Sequence, residues 1–119
     1  MLPRENPMLK RRVTRMYALQ VLYQLSYVPS HSITDTIEQF LLNYENQNFS
    51  KVDIDFLHTL VDGVQTHQEQ INNILTPIIA RKWNDTEEIL LIILQLACYE
   101  ILHNPEVQLA VILSINFNS

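Results

Sequence analysis

Gly63 is the only glycine among 119 residues, and this scarcity constrains the fold more than any other feature of the sequence. Tight β-hairpin turns and phosphate-binding loops need backbone positions without a Cβ atom, and such loops need several of them close together. A glycine-rich nucleotide loop is therefore excluded. The chain is 47% hydrophobic and long enough to bury a core, but it has too little turn chemistry for a hairpin-rich β protein. The composition predicts an all-α fold.

Six helices are predicted from apolar spacing and helix-start signals. The first covers about residues 9–27, and Pro29 is expected to end it. The fifth covers residues 89–102 and is so apolar that the other helices are expected to surround it. Capping pairs mark the starts of the second to fifth helices; they are Ser32 with Asp35, Ser50 with Asp53, Thr66 with Glu69, and Asp85 with Glu88. No linker divides the chain, so one compact domain over residues 1–119 is expected.

Two residues inside the predicted helices have a specific expected role. Gly63 costs about 1 kcal/mol relative to alanine within a helix, which favours a close helix crossing at this position. Pro77 is expected to bend or end the fourth helix, because proline lacks the backbone N–H that the helix needs.

The sixth helix is predicted to begin at Asn104, Pro105 and Glu106, which supply an N-cap, a first-turn proline and a favourable acid. Its later residues leave almost no polar face; they include Val107, Leu109, Ala110, Val111, Ile112, Leu113, Ile115 and Phe117. The apolar surface of such a helix needs another protein element packed against it to shield it from water. We therefore expect either pairing with another chain, such as a homodimer, or a further helix of a longer domain.

The net charge of −5 hides an uneven distribution. Residues 1–16 form a basic arm of five basic side chains and one acidic side chain, with a charge of +4. The remaining residues hold three basic and twelve acidic side chains, with a charge of −9. An acidic body repels a phosphate backbone and a basic arm attracts it, so a polyanion is expected to bind at the arm. A frayed, solubilising terminus is the alternative interpretation.

Few residues suggest catalysis. Glu100 and His103 have the Glu-x-x-His spacing of di-iron bundle sites, but the sequence has no second copy, so a redox enzyme is a distant hypothesis. Cys98 is the only cysteine, which excludes an intramolecular disulfide, and it is expected to be a small core residue. No nucleophile-elbow glycines flank a serine. The sequence therefore predicts no enzyme activity, no cofactor and no metal site.

The sequence carries no secretion signal, because no apolar segment follows its basic start. Its most apolar stretch is shorter than the ~20 residues of a membrane span. A cytoplasmic protein with no membrane partner is expected.

The sequence feature that most strongly indicates a function is the basic run that leads into the first helix. Lys10, Arg11, Arg12 and Arg15 are the candidate RNA-binding residues, because a guanidinium binds phosphate bidentately and stacks on exposed bases. Tyr23 offers a further stacking face, although its place among apolar positions favours a packing role.

The sequence resembles the bacterial transcription antitermination protein NusB family in three blocks, RRVTRMYALQVLY at residues 11–23, DIDFLHTLVDGV at 53–64 and ILQLACYEIL at 93–102. The resemblance implies an all-α, NusB-like fold of two small helical bundles that share a core. It also implies binding to the boxA segment of ribosomal RNA leader transcripts, together with the small-subunit ribosomal protein NusE, in the antitermination complex of RNA polymerase. Arg11, Arg12 and Arg15 would contact this single-stranded RNA, and Lys10 would extend the patch.

The chain departs from the family pattern at Met16, where glutamate is common, at Gln95, where arginine is usual, and at residues 109–112, where LAVI replaces an Asn-Glu segment. Two other functions remain open. One is a helical protein-interaction or self-association module that uses the apolar sixth helix. The other is the NusB-like RNA-binding accessory domain of a ribosomal RNA methyltransferase system, for which 119 residues leave no room for a methyl-donor domain.

Overall fold

The computed structural model describes residues 7–28, 32–43, 52–79 and 87–118. These residues form six helices, which are α1 (Pro7–Tyr27), α2 (Ile33–Asn43), α3 (Ile54–Thr66), α4 (Gln68–Ile79), α5 (Glu88–His103) and α6 (Pro105–Asn118). No strand occurs in these ranges, and the predicted all-α fold of about six helices is confirmed. Pro29, Ser50, Asp85 and residues 1–6 of the basic arm lie outside the described residues, so the predictions made for them are not addressed.

Two of the predicted helix starts are confirmed at the level of individual hydrogen bonds. The Asp35 N–H donates to Ser32 Oγ over 3.0 Å at the start of α2. At the start of α6, the Glu106 N–H donates to Asn104 Oδ1 over 3.1 Å, and the helix begins with Pro105. Both side chains accept from backbone N–H groups that have no partner within the helix, so these starts follow from local sequence.

One other helix boundary, the start of α4, differs from the prediction. Thr66 is the last residue of α3, and α4 begins at Gln68 because the Ile71 N–H donates to the His67 carbonyl over 2.9 Å. Pro77 lies inside α4, which ends two residues later at Ile79. The expectation that Pro77 bends or ends this helix stays a prediction.

The chain divides into two compact units, Met1–Gly63 and Val64–Ser119. In the first unit α1 packs against α2, where the Tyr17 and Phe40 rings meet edge to face at 5.3 Å. The buried apolar residues of this unit are Ala18, Val21, Leu22, Leu25, Ile37, Phe40, Val52, Leu57, Leu60 and Val61. Those of α1 recur at helical spacing with Thr14, so one face of α1 is committed to packing.

In the second unit α5 packs against both α4 and α6. Its buried apolar residues are Val64, Ile71, Leu75 and Ile92. Gln95 Nε2 donates to Asn72 Oδ1 over 2.9 Å, so the residue that departs from the family pattern links α5 to α4. The expectation that α5 is surrounded is wrong, because Leu90, Ile93 and Ile101 remain 44–47% exposed.

Gly63 is buried near the end of α3, and its φ is not positive. Backbone freedom therefore does not explain the glycine at this position, and the close helix crossing stays a prediction. No helix in the described ranges combines the length and the apolar character that crossing a membrane requires.

Candidate nucleic-acid interface

The start of α1 differs from the start of every other described helix in its charge. The other five helices each place an acid in the first turn, namely Asp35, Asp55, Glu69, Glu88 and Glu106. The first turn of α1 has no acid, and Lys10, Arg11 and Arg12 follow it directly. A cation in the first turn of a helix faces the positive end of the helix dipole, but this effect falls off beyond that turn. Lys10 is the fourth residue of α1, whereas Arg15 is already the ninth, so the dipole acts on Lys10 far more than on the arginines. The arrangement concentrates positive potential in this part of α1.

The basic side chains are distributed around α1 relative to the buried Thr14. With about 100° per residue, Arg11 and Arg15 lie on one flank of Thr14, at about 60° and 100°, and both are half-buried. Arg12 lies about 160° away and is exposed. Lys10 is half-buried and lies one turn before Thr14, on the opposite flank. The structure therefore brings Arg11 and Arg15 together and places Arg12 on the outer side.

Thr14 connects this part of α1 to the start of α3. Its hydroxyl donates to the Lys10 carbonyl over 2.7 Å and accepts the Asp53 N–H over 2.9 Å, although Thr14 and Asp53 are 39 residues apart. Asp53 in turn caps α3, since its Oδ1 accepts the Phe56 N–H over 3.0 Å. Because Thr14 is fully buried, this chain of bonds sets the position of the α3 start along α1.

Phe56 lies in the first turn of α3, next to the arginine flank of α1. The guanidinium carbon of Arg11 is 4.4 Å from the centre of the Phe56 ring, and that of Arg15 is 5.5 Å from it. Both distances lie within the range at which a cation is attracted to an aromatic face. One ring therefore contacts two guanidinium groups that are one helical turn apart.

The tyrosines near the basic run have packing partners. Tyr17 contacts Phe40 of α2, and the Tyr23 and Tyr27 rings meet edge to face at 5.0 Å, with their hydroxyls 2.8 Å apart. Tyr23 is half-buried and Tyr27 is exposed on the same helix, so the packing role favoured for Tyr23 stays a prediction.

Thr14, Asp53 and Phe56 were not among the candidate site residues, although part of the signal was present in the sequence. Thr14 precedes Ala18 by four residues and so continues the apolar stripe into the basic run, which predicts its burial. Asp53 carried a capping signal. The contact between Phe56 and the arginines depends on tertiary packing and has no local signature.

The histidines and Glu100 do not form a metal site in the described part of the chain. Glu100 is buried, whereas His103 is exposed and its ring lies 4.4 Å from that of His67 and 5.1 Å from that of Tyr99. No group of three or more His, Cys, Asp or Glu side chains is placed there to hold an ion. Cys98 is half-buried, and burial raises the pKa of its thiol, which favours the unreactive protonated form at neutral pH.

The fold and this charge distribution place the chain in the class of small all-α proteins that concentrate positive charge at the start of one helix. A model of the NusB family matches residues 12–116. The chain belongs to the NusB family.

Relatives in this family support the same conclusion over most of the chain. The transcription antitermination protein NusB of Tolumonas auensis is 30% identical over 105 residues, covering 88% of this chain and 73% of the relative. The protein of the same name from Shewanella piezotolerans is 32% identical over 100 residues, covering 82% and 70%. That of Legionella pneumophila is 32% identical over 105 residues, covering 87% and 67%. No solved structure matches the chain.

Proposed function

We propose that the chain is a transcription antitermination factor that binds boxA-type leader RNA through Lys10, Arg11, Arg12 and Arg15. The observation that carries the proposal is the acid-free start of α1, where four cations lie within six residues and the helix contains no acidic side chain. Such a concentration of positive charge attracts an anionic ligand. The matched relatives are named transcription antitermination proteins, which supports this function for a chain of the same family.

Binding would combine two kinds of contact. Arginine and lysine contacts to phosphate supply affinity and orientation but carry no sequence information. Sequence would be read from the unpaired bases of a single-stranded leader, whose edges and faces are accessible. The small-subunit ribosomal protein NusE would bind together with the RNA, and the complex would act on RNA polymerase to support ribosomal RNA transcription.

Salt dependence tests the phosphate contacts. For single-stranded nucleic acid the logarithm of the binding constant falls with the logarithm of salt concentration at about 0.7 per phosphate contact, so four contacts give a slope of about −3. We expect this slope in a fluorescence anisotropy titration of a short boxA-type RNA. Adding NusE should raise the affinity. A slope near zero, or equal affinity for any acidic polymer in the presence of NusE, would contradict the proposal.

A second candidate function is protein interaction through α6. Leu109, Ile112 and Leu113 share one face of this helix and are 58%, 54% and 45% exposed. An exposed apolar face of this kind is typical of an interaction surface. Homodimer formation through this face is the simplest form of the hypothesis.

Polar substitution of this face tests the second candidate. The double variant Leu109→Gln and Leu113→Gln should be monomeric by light scattering at concentrations where the unchanged chain self-associates. RNA affinity should stay the same, because the substitutions introduce no charge and leave Lys10, Arg11, Arg12 and Arg15 unchanged. If the unchanged chain is strictly monomeric, self-association through α6 is wrong.

A further inference from the structure

The contact between Phe56 and two arginines has a consequence for RNA binding. We infer that Phe56 is a positioning residue of the interface, which holds Arg11 and Arg15 as a pair while Arg12 acts independently. The inference rests on the proposed RNA-binding function and extends it to α3, where no RNA-binding residue was predicted. Its basis is the single ring that lies 4.4 Å from the guanidinium of Arg11 and 5.5 Å from that of Arg15.

The location of the ring is set by groups other than the arginines. The Phe56 N–H is bound by Asp53, whose own N–H is bound by the buried hydroxyl of Thr14. Leu57, the next residue, is fully buried in the core. The backbone at Phe56 is therefore held in place by bonds that do not involve the arginines, and its half-buried ring lies at the edge of the core.

Two unrestrained arginines one turn apart would repel each other and would lose much side-chain freedom on binding a phosphate. The negative face of an aromatic ring attracts both cations and limits their rotamers before any ligand arrives. Less ordering then remains for the binding step, which strengthens binding without a new contact to RNA. Arg12 lies on the outer side of α1 and receives no such restraint from Phe56.

The test compares Phe56→Leu, which keeps an apolar side chain but removes the ring, with Phe56→Tyr, which keeps the ring. Against the same boxA-type RNA, the leucine variant should bind roughly two- to fivefold more weakly, as expected for the loss of an exposed cation–π contact. The tyrosine variant should bind like the unchanged chain. Because phosphate contacts remain, the salt slope should not change in either variant. Urea denaturation of each variant checks that unit 1 stays folded.

Coupling to the arginines separates positioning from a merely structural role. The effect of Phe56→Leu should vanish in a background that carries Arg11→Ala and Arg15→Ala. It should persist in full in an Arg12→Ala background, which is the matched control because Arg12 lies on the other side of the same helix. An equal effect of Phe56→Leu in both backgrounds, or no effect in the unchanged chain, would overturn the inference.

A measurement without RNA separates this inference from the proposed function. In the free protein, NMR should show the side-chain protons of Arg11 shifted upfield by the Phe56 ring, with the shift lost in Phe56→Leu and kept in Phe56→Tyr. An unshifted Arg11 side chain overturns the inference alone. A shifted side chain in a chain that binds no RNA overturns the proposed function, and the positioning role fails with it.

Discussion

The triple variant Arg11→Glu, Arg12→Glu and Arg15→Glu is expected to lower the affinity for boxA-type RNA by on the order of a thousandfold. Each charge-assisted hydrogen bond to phosphate contributes about 1.5–3 kcal/mol, and all three would be lost together. The new carboxylates would also repel the RNA backbone. Anisotropy titration at moderate salt measures the loss, and unchanged affinity under those conditions would contradict the proposed interface.

The same variant should still fold. All three arginines are exposed or half-buried, so no core contact is removed. The variant loses the two Phe56 contacts, which are worth about 0.5–1 kcal/mol each at an exposed site, and its glutamates lie beyond the first turn of α1, where the helix dipole has little effect. Urea denaturation should therefore give a free energy of unfolding that is lowered by no more than about 2 kcal/mol.

Two controls separate the position of the charge from its amount. Gln20→Glu with Gln24→Glu changes the charge by −2 at exposed positions further along α1, the same change that Arg12→Glu makes within the basic run, and it should weaken binding much less than Arg12→Glu does. Replacing the same three arginines with lysine keeps the charge but removes the bidentate geometry. The lysine variant should keep the salt dependence of its binding and lose part of its preference for boxA over other single-stranded RNA, because an ammonium group cannot stack on exposed bases as a guanidinium does.

Thr14→Val is expected to lower the free energy of unfolding by about 1–3 kcal/mol, because the half-buried Asp53 N–H loses its acceptor, the fully buried Thr14 hydroxyl, while the side-chain shape is kept. The Thr14 hydroxyl also donates to the Lys10 carbonyl, so a bond within α1 is lost as well. Urea denaturation of the unchanged chain and the variant measures this difference. Thr14→Ser should restore most of the stability, since serine keeps the hydroxyl.

Thr59→Val is the matched control. The Thr59 hydroxyl donates to the Asp55 carbonyl over 3.0 Å, the same local bond that Thr14 makes, but Thr59 is exposed and no tertiary bond involves it among the contacts described above. We expect a change within about 0.5 kcal/mol for this surface substitution. Equal effects at Thr14 and Thr59 would mean that the bond to Asp53 contributes nothing to stability.

The helices, and the starts of α2 and α6, could be predicted because their causes are local. Ser32 and Asn104 cap the helices that follow them, and each bond spans only two or three residues. The basic arm was visible for the same reason, since charge is read directly from the residues. Thr66 was wrongly placed at the start of α4, because a sequence pattern does not show which of several neighbouring carbonyls accepts the first N–H of a helix.

Exposure was harder to predict than helix formation. The fifth helix was expected to be surrounded because of its apolar composition, yet Leu90, Ile93 and Ile101 remain substantially exposed. The composition of a helix gives the amount of its apolar surface. The burial of that surface depends on how many neighbouring helices pack against it.

The single glycine, the spacing of apolar residues and the caps were sufficient to determine that this chain is helical and carries its positive charge at the start of α1. Tertiary structure alone decided that the Thr14 hydroxyl accepts the Asp53 N–H and that the Phe56 ring lies against Arg11 and Arg15. Helix formation depends on residues three or four apart, which the sequence presents in order. The contacts around Phe56 join residues about forty positions apart, and they form only when the core residues of α1 and α3 have packed.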